Sequence, residues 1–201
     1  MTRPAVPSAV SPAVSPHASA IASPTATPPG TLDRAGLAGL VPHRGTMLLL
    51  DRLERWDGTR IRCLASDHRT PSHPLRSGSG LLAPAAIEMA AQAMALHGAL
   101  TAMAAGLAAS PGYLASVRGV EFACWRLDTL DPEPLAIEAE RQAGDGDRIL
   151  YAFTVTHGTA PIARGRAAVV LNTPVVGTPA VIPSPLASSP LAALPPDTPS
   201  A

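Results

Sequence analysis

One carboxyl stands alone in the most apolar stretch of this chain. Residues 81–100, LLAPAAIEMAAQAMALHGAL, carry a single acidic residue, Glu88, among alanine, leucine, isoleucine and methionine. A carboxylate stripped of water without a partner is costly, and it responds by holding its proton. Glu88 therefore either lies on an exposed edge or is kept there for chemistry. A carboxyl that stays protonated is a proton donor, one half of an acid–base pair. Gln92 follows at i+4, the spacing that puts two side chains on one helix face. Histidine is the side chain that titrates near neutrality. His68 and His73 lie in a polar loop upstream of Glu88, and His43, His97 and His157 stand elsewhere. Taken singly, each has a blander reading: Glu88 as an edge or ion-paired residue, Gln92 as a satisfied buried amide, the histidines as ordinary loop or structural residues.

The elements that must position these groups follow from periodicity. Leu32 to Leu40 suggests a short helical turn ended by Pro42. TMLLLDRLERWDG reads as a strand closing on the turn pair Asp57-Gly58, and TRIRCLASD alternates as the second arm of a hairpin. His68 to Gly80 is a loop rich in Pro, Ser and Gly. A long helix follows, with Pro84 near its first turn, where a missing N–H costs nothing, and it fades by AAGLAASPG. After Gly112 come YLASVRGVEFACW, PLAIEAERQA, RILYAFTVT and IARGRAAVVL, which read as a four-stranded meander. A helix apolar on nearly all sides must be enclosed, and an antiparallel sheet with one dry face can wrap it. The expected class is α+β, an antiparallel sheet around one long central apolar helix.

Composition bounds the rest. Residues 1–30 and 173–201 are dominated by Pro, Ala, Ser, Thr and Val and lack the large apolar side chains that offset chain ordering, so both read as disordered tails. Their proteolytic removal is expected to spare the fold. Residues 31–172 remain for one domain, close to the commonest size. Prolines at 4, 7, 12 and 16 break any signal-peptide core. The formal charge is zero, so no global field selects nucleic acid. All fifteen basic residues are arginine, which makes each weak evidence individually. Residues 81–109 are apolar enough to raise a membrane span, but alanine contributes little to insertion and a central carboxylate opposes it. Cys63 and Cys124 have no metal or disulfide spacing, which suits a reducing cytoplasm.

VPHRGTMLLLDRL (41–53) and IEMAAQAMA (87–95) resemble the opening and helix signatures of the hot-dog 3-hydroxyacyl-acyl-carrier-protein dehydratases. With CLASDHRTPSHPLR, PGYLASVRGVEF and RGRAAVVL between and after them, the order is most similar to the branch encoded in aryl-polyene pigment clusters. The resemblance spans residues 37–172. It implies a hot-dog fold and dehydration of a 3-hydroxyacyl chain to the trans-2-enoyl thioester. It places Glu88 at the catalytic carboxylate and Gln92 at the glutamine one turn later. At the family's usual offset for the catalytic histidine stands Pro74. HRTPSHPL resembles a His-x-x-Pro loop with an insertion, which makes His68 the first choice for the base and His73 the second. Ala83 takes the place of a glycine whose N–H faces the thioester carbonyl, so Ala83, the helix N-terminus and Gln92 are expected to contact substrate. His43, inside a family signature, is expected to make a structural hydrogen bond at a strand entrance.

The same resemblance implies no metal and no organic cofactor, the acyl chain riding on the phosphopantetheine of an acyl carrier protein. It also implies a dimer in which the histidine of one protomer faces the carboxylate of the other. Arg44, Arg69, Arg76 and Arg118 are candidates for meeting the acidic carrier or its phosphate, with solvated surface as the default for each. Two other functions compete. One is an acyl-thioester hydrolase, since hot-dog thioesterases also use a carboxylate on this helix. The other is a partner subunit that completes the site of a heterodimeric dehydratase and is weak alone.

Overall fold

The computed structural model describes residues 28–145 and 147–171. Apart from residues 28–30, the segments read as tails lie outside the described residues. The elements run β1 (Leu32–Asp33), α1 (Arg34–Ala38), β2 (Arg52–Trp56), β3 (Arg60–Ala65), α2 (Ala85–Ala104), β4 (Gly112–Phe122), β5 (Leu135–Asp145), β6 (Arg148–His157) and β7 (Ala160–Leu171). All seven strands form one antiparallel sheet in the order β1-β2-β3-β5-β6-β7-β4. Helix α2 packs against β3, β5 and β6, which is the hot-dog arrangement.

Alternation explains why the sheet curls onto the helix. Ile61, Cys63 and Ala65 of β3 are buried, as are Leu135, Ile137 and Ala139 of β5 and Ile149, Tyr151, Phe153 and Val155 of β6. Apart from buried Ala136, the side chains between them are partly or fully exposed, and the charged ones pair across the strands. Arg62 bridges Glu54 and Glu138, each at 2.7 Å, and Arg60 meets Glu140 at 3.1 Å. Such exposed pairs fix register more than they add stability. The β2–β3 turn closes because the Asp57 carboxylate accepts the Thr59 and Arg60 amides at 2.7 and 2.8 Å. Those bonds, led by the one from the Thr59 amide, hold the Asp57 carboxyl below its usual range.

Three expectations are corrected. The last four strands are not a simple meander: β4 pairs with β7 at the outer edge, and β5 crosses to pair with β3. The chain between β4 and β5 crosses beneath the N-terminal end of α2, where Leu127 N–H donates to Leu81 at 2.8 Å. Second, the strand read from Thr46 begins only at Arg52. Gly45–Met47 is a 3-10 turn, and the Met47 carbonyl and Leu49 amide bond the Gln92 side chain instead of a neighbouring strand. Third, α2 is not enclosed on every side. Glu88, Ala91, Ala95, Gly98 and Ala102, spaced along one face, stay partly exposed, while Met89, Ala93, Leu96 and Leu100 are buried. Among the described residues no helix is long and apolar enough to cross a membrane.

Candidate active site

The partly exposed stripe of α2 is one wall of an apolar groove of about 780 Å3. Leu114 of β4, Ile149 and Tyr151 of β6, and Val169 and Leu171 of β7 line it further. Beyond Glu88 the α2 wall is built mostly of alanine and glycine, with Met94 and Thr101 as its larger side chains. Glu88 and His43 stand together at one end of the groove, and Arg141 is the other charged lining residue.

Glu88 is held by a short network. Its Oε1 lies 3.1 Å from His43 Nε2 and accepts the Gln92 amide at 3.1 Å. Gln92 is fully buried, and the chain around it settles which way its amide points. Its Nε2 donates to the Met47 carbonyl at 2.8 Å, while its Oε1 accepts the Leu49 amide at 2.9 Å. A flipped amide would set donor against donor and acceptor against acceptor. The second hydrogen of Nε2 is therefore committed to Glu88. His43 is fixed in turn by its neighbours: Pro42 stiffens the chain, and Arg44 folds back to bond the Val41 and His43 carbonyls. Glu88 keeps 34% of its side chain accessible. The carboxyl is thus not stripped of water by the helix; it looks into the groove.

The loop histidines sit elsewhere. His68 is completely buried, its Nε2 facing the Asp131 carbonyl at 3.0 Å and its Nδ1 sealed without a partner. His157 shares that carbonyl at 3.1 Å, with the two rings edge to face. His73 is nearly buried and accepts the Leu75 amide at Nδ1, but its Nε2 is not among the sealed, partnerless nitrogens. Burial pushes both imidazoles below their ordinary value. Neither lines the groove nor bonds Glu88 within this chain. The loop that carries His73 is pinned by Asp128, whose nearly buried carboxylate takes Arg126 and Arg76, both at 2.8 Å. The Arg126 guanidinium holds that carboxyl well below the usual range.

Ala83 does not offer the donor expected of it, because its N–H is committed to the Trp125 carbonyl at 2.9 Å. His97 is a core residue, satisfied by Tyr151 and by the Asp57 carbonyl. His43, expected only to make a structural hydrogen bond at a strand entrance, instead stands against Glu88. The signal was present in the Pro-His-Arg motif, but the local pattern does not show that it folds onto a helix some forty residues on. Among the described residues no cluster of three or more His, Cys, Asp or Glu side chains is arranged to hold a metal ion.

Comparison with known proteins agrees with the fold. The profile of the ApeP dehydratase family matches residues 36–175. No curated protein sequence matches the chain. Among solved structures, a chain of the dehydratase heterocomplex ApeI:P from Xenorhabdus doucetiae superposes with a TM-score of 0.61 at 20% identity, covering 68% of this chain and 91% of that one. The PaaI protein from the phenylacetic acid degradation operon of E. coli gives 0.43 at 12% identity, over 59% of this chain and 80% of that one. At these identities the first likeness establishes a shared fold.

Proposed function

The chain belongs to the ApeP dehydratase family, and on that premise we propose that it dehydrates 3-hydroxyacyl chains carried on an acyl carrier protein, in polyene-type synthesis. In this reading a histidine removes the proton α to the thioester and the hydroxyl at C3 leaves with a proton from the Glu88 carboxyl. The products are water and the trans-2-enoyl thioester. The elimination changes no net oxidation state, so it calls for no redox cofactor; the phosphopantetheine arm of the carrier brings the substrate. The expected setting is the cytoplasm.

The observation that carries the reading is Glu88 standing at one end of an apolar groove. From Glu88 to Ala105 the helix wall runs about 25 Å at 1.5 Å per residue, room for an extended acyl chain whose reacting end lies against the carboxyl. The base is proposed to be a histidine of the loop before α2, reached across a subunit interface. His68, the first choice from sequence, has one nitrogen bonded and the other sealed, which favours His73. An 11-residue outer strand, β4, with Tyr113 and Phe122 exposed on it, supports a second hot-dog subunit at that edge. Exposed Arg69 and Arg118 suit an acidic carrier.

A second reading has a specific observation behind it. Among the described residues the one histidine beside Glu88 is His43, whose remaining nitrogen is buried, so these residues bring no evident base into the groove. The chain would then act only with a second hot-dog protein that supplies one. Intact mass spectrometry of a 3-hydroxyacyl carrier protein separates these outcomes. Loss of water with this chain alone, abolished in Glu88→Gln and in His73→Ala, supports the first reading, and survival in His73→Ala but not His68→Ala moves the base back to His68. Water loss only after a second hot-dog subunit is added supports the other. Release of free carrier thiol would point to hydrolysis and overturn both.

A further inference from the structure

We infer that His43 is a positioning residue for Glu88: it anchors one carboxyl oxygen, Oε1, so that the other, Oε2, faces the groove as the atom that exchanges a proton with substrate. The inference rests on the dehydratase reading above and adds to it the division of labour between the two oxygens.

The Gln92 amide, its orientation fixed by Met47 and Leu49, donates to Oε1. His43 Nε2 lies 3.1 Å from the same oxygen. If Nε2 bore a lone pair, Glu88 would have to carry its proton on Oε1, against the Gln92 hydrogen. His43 Nδ1 would then carry an N–H in a buried position where no acceptor stands, and an unpaired buried donor costs more than an unpaired lone pair. Both considerations select the tautomer with hydrogen on Nε2. Oε1 therefore takes two donors and cannot also carry the working proton. Oε2 bonds nothing among the described residues and is not among the sealed, partnerless atoms, while Glu88 lines the groove.

The same bonds remove His43 from the role of base. Its only lone pair is on Nδ1, buried and out of reach of a substrate in the groove. A residue that donates one bond and accepts no proton works by holding geometry, and a carboxyl held by one oxygen loses the freedom to rotate its reactive oxygen away.

The test has a structural and a kinetic arm, in the assembly that shows activity. In 15N-labelled protein the His43 ring should give a slowly exchanging Nε2–H signal, lost in Glu88→Ala. A lone pair at Nε2, or a signal indifferent to Glu88→Ala, would overturn the inference, and this arm stands even if the wild type fails to dehydrate the carrier-bound substrate. In kinetics, His43→Leu should lower kcat about 10- to 100-fold with KM within about 2-fold. His43→Gln, whose amide can donate to Oε1, should recover to within about 5-fold of wild type. A fully active His43→Leu would sink the proposal. So would a His43→Gln variant as slow as His43→Leu despite native folding by circular dichroism, because that would require the imidazole itself to move a proton.

Discussion

Gln92 shows how one side chain can be structural and functional at once. Its amide closes the Met47–Leu49 segment in place of a strand and hands its last hydrogen to Glu88. Replacing it with leucine keeps the volume but leaves a buried amide N–H and a carbonyl without partners. Each costs about 1–3 kcal/mol, so Gln92→Leu should lose roughly 2–6 kcal/mol in urea unfolding with an unchanged denaturant slope. Gln92→Glu is the sharper probe. The carboxylate could still accept from Leu49, but it would face the Met47 carbonyl and Glu88 with oxygen against oxygen. It should be at least as destabilised as the leucine variant, and its turnover should fall further, since Glu88 loses a donor and gains a competing acid. A Gln92→Glu variant with wild-type stability would show that the amide is not wired in this way.

Helix α2 has two faces with different work, and substitutions should separate them. Leu96 is fully buried among the strands, so Leu96→Ala should cost about 2–5 kcal/mol, with little change in kcat for the folded fraction. Gly98 lies on the groove stripe, and a Cβ built there meets nothing within 4 Å. Gly98→Leu should therefore leave the fold intact, and better helix propensity should add up to about 1 kcal/mol. It should also block the groove about 15 Å from Glu88, slowing turnover of long acyl chains while sparing short ones, as competition between two carrier-bound chain lengths would show. This two-faced helix was only half legible in the sequence. The apolar run from Leu81 and its end near Ala105 could be read from composition, as could the alternation that buries Ile61, Ile137 and Val155. An apolar wall that faces a groove looks the same in sequence as one that faces a core, and alanines fit either. The crossing of β5 to β3 and the return of β4 to β7 depend on which edges the sheet leaves open, which no local pattern records. The same is true of the contacts that carry the site. Glu88 and Gln92 were legible because i, i+4 spacing is local, whereas His43 reaches Glu88 only through the tertiary fold.

At the scale of the whole molecule, equal numbers of arginines and acidic residues leave no net formal charge, so the pH dependence of stability should come from particular buried groups. His68, His73 and His97 are all buried, and burial pushes each below its ordinary value of 6.5. His97 shows the wiring most plainly: its Nε2 donates to the Asp57 carbonyl at 2.8 Å and its Nδ1 takes the Tyr151 hydroxyl at 2.9 Å, so both ring nitrogens are satisfied in the neutral form. An added proton at Nδ1 would evict that hydroxyl's hydrogen. The unfolded chain binds these protons near pH 6.5 and the native chain only at lower pH, so unfolding takes up protons as the pH falls. Stability from this source is complete above about pH 7.5 and is lost on acidification through 6.5. The loss is at most about 1.4 kcal/mol per pH unit for each histidine, hence roughly 4 kcal/mol per unit for the three together. Urea midpoints measured from pH 8 to pH 5.5 should be flat at first and then fall steeply. His97→Gln, whose amide can replace both hydrogen bonds without titrating, should remove about a third of that slope. A midpoint unchanged down to pH 5.5 would mean that the buried histidines take up protons in the native fold as readily as in the unfolded chain, through an opening of the loop before α2 and of the core around Tyr151.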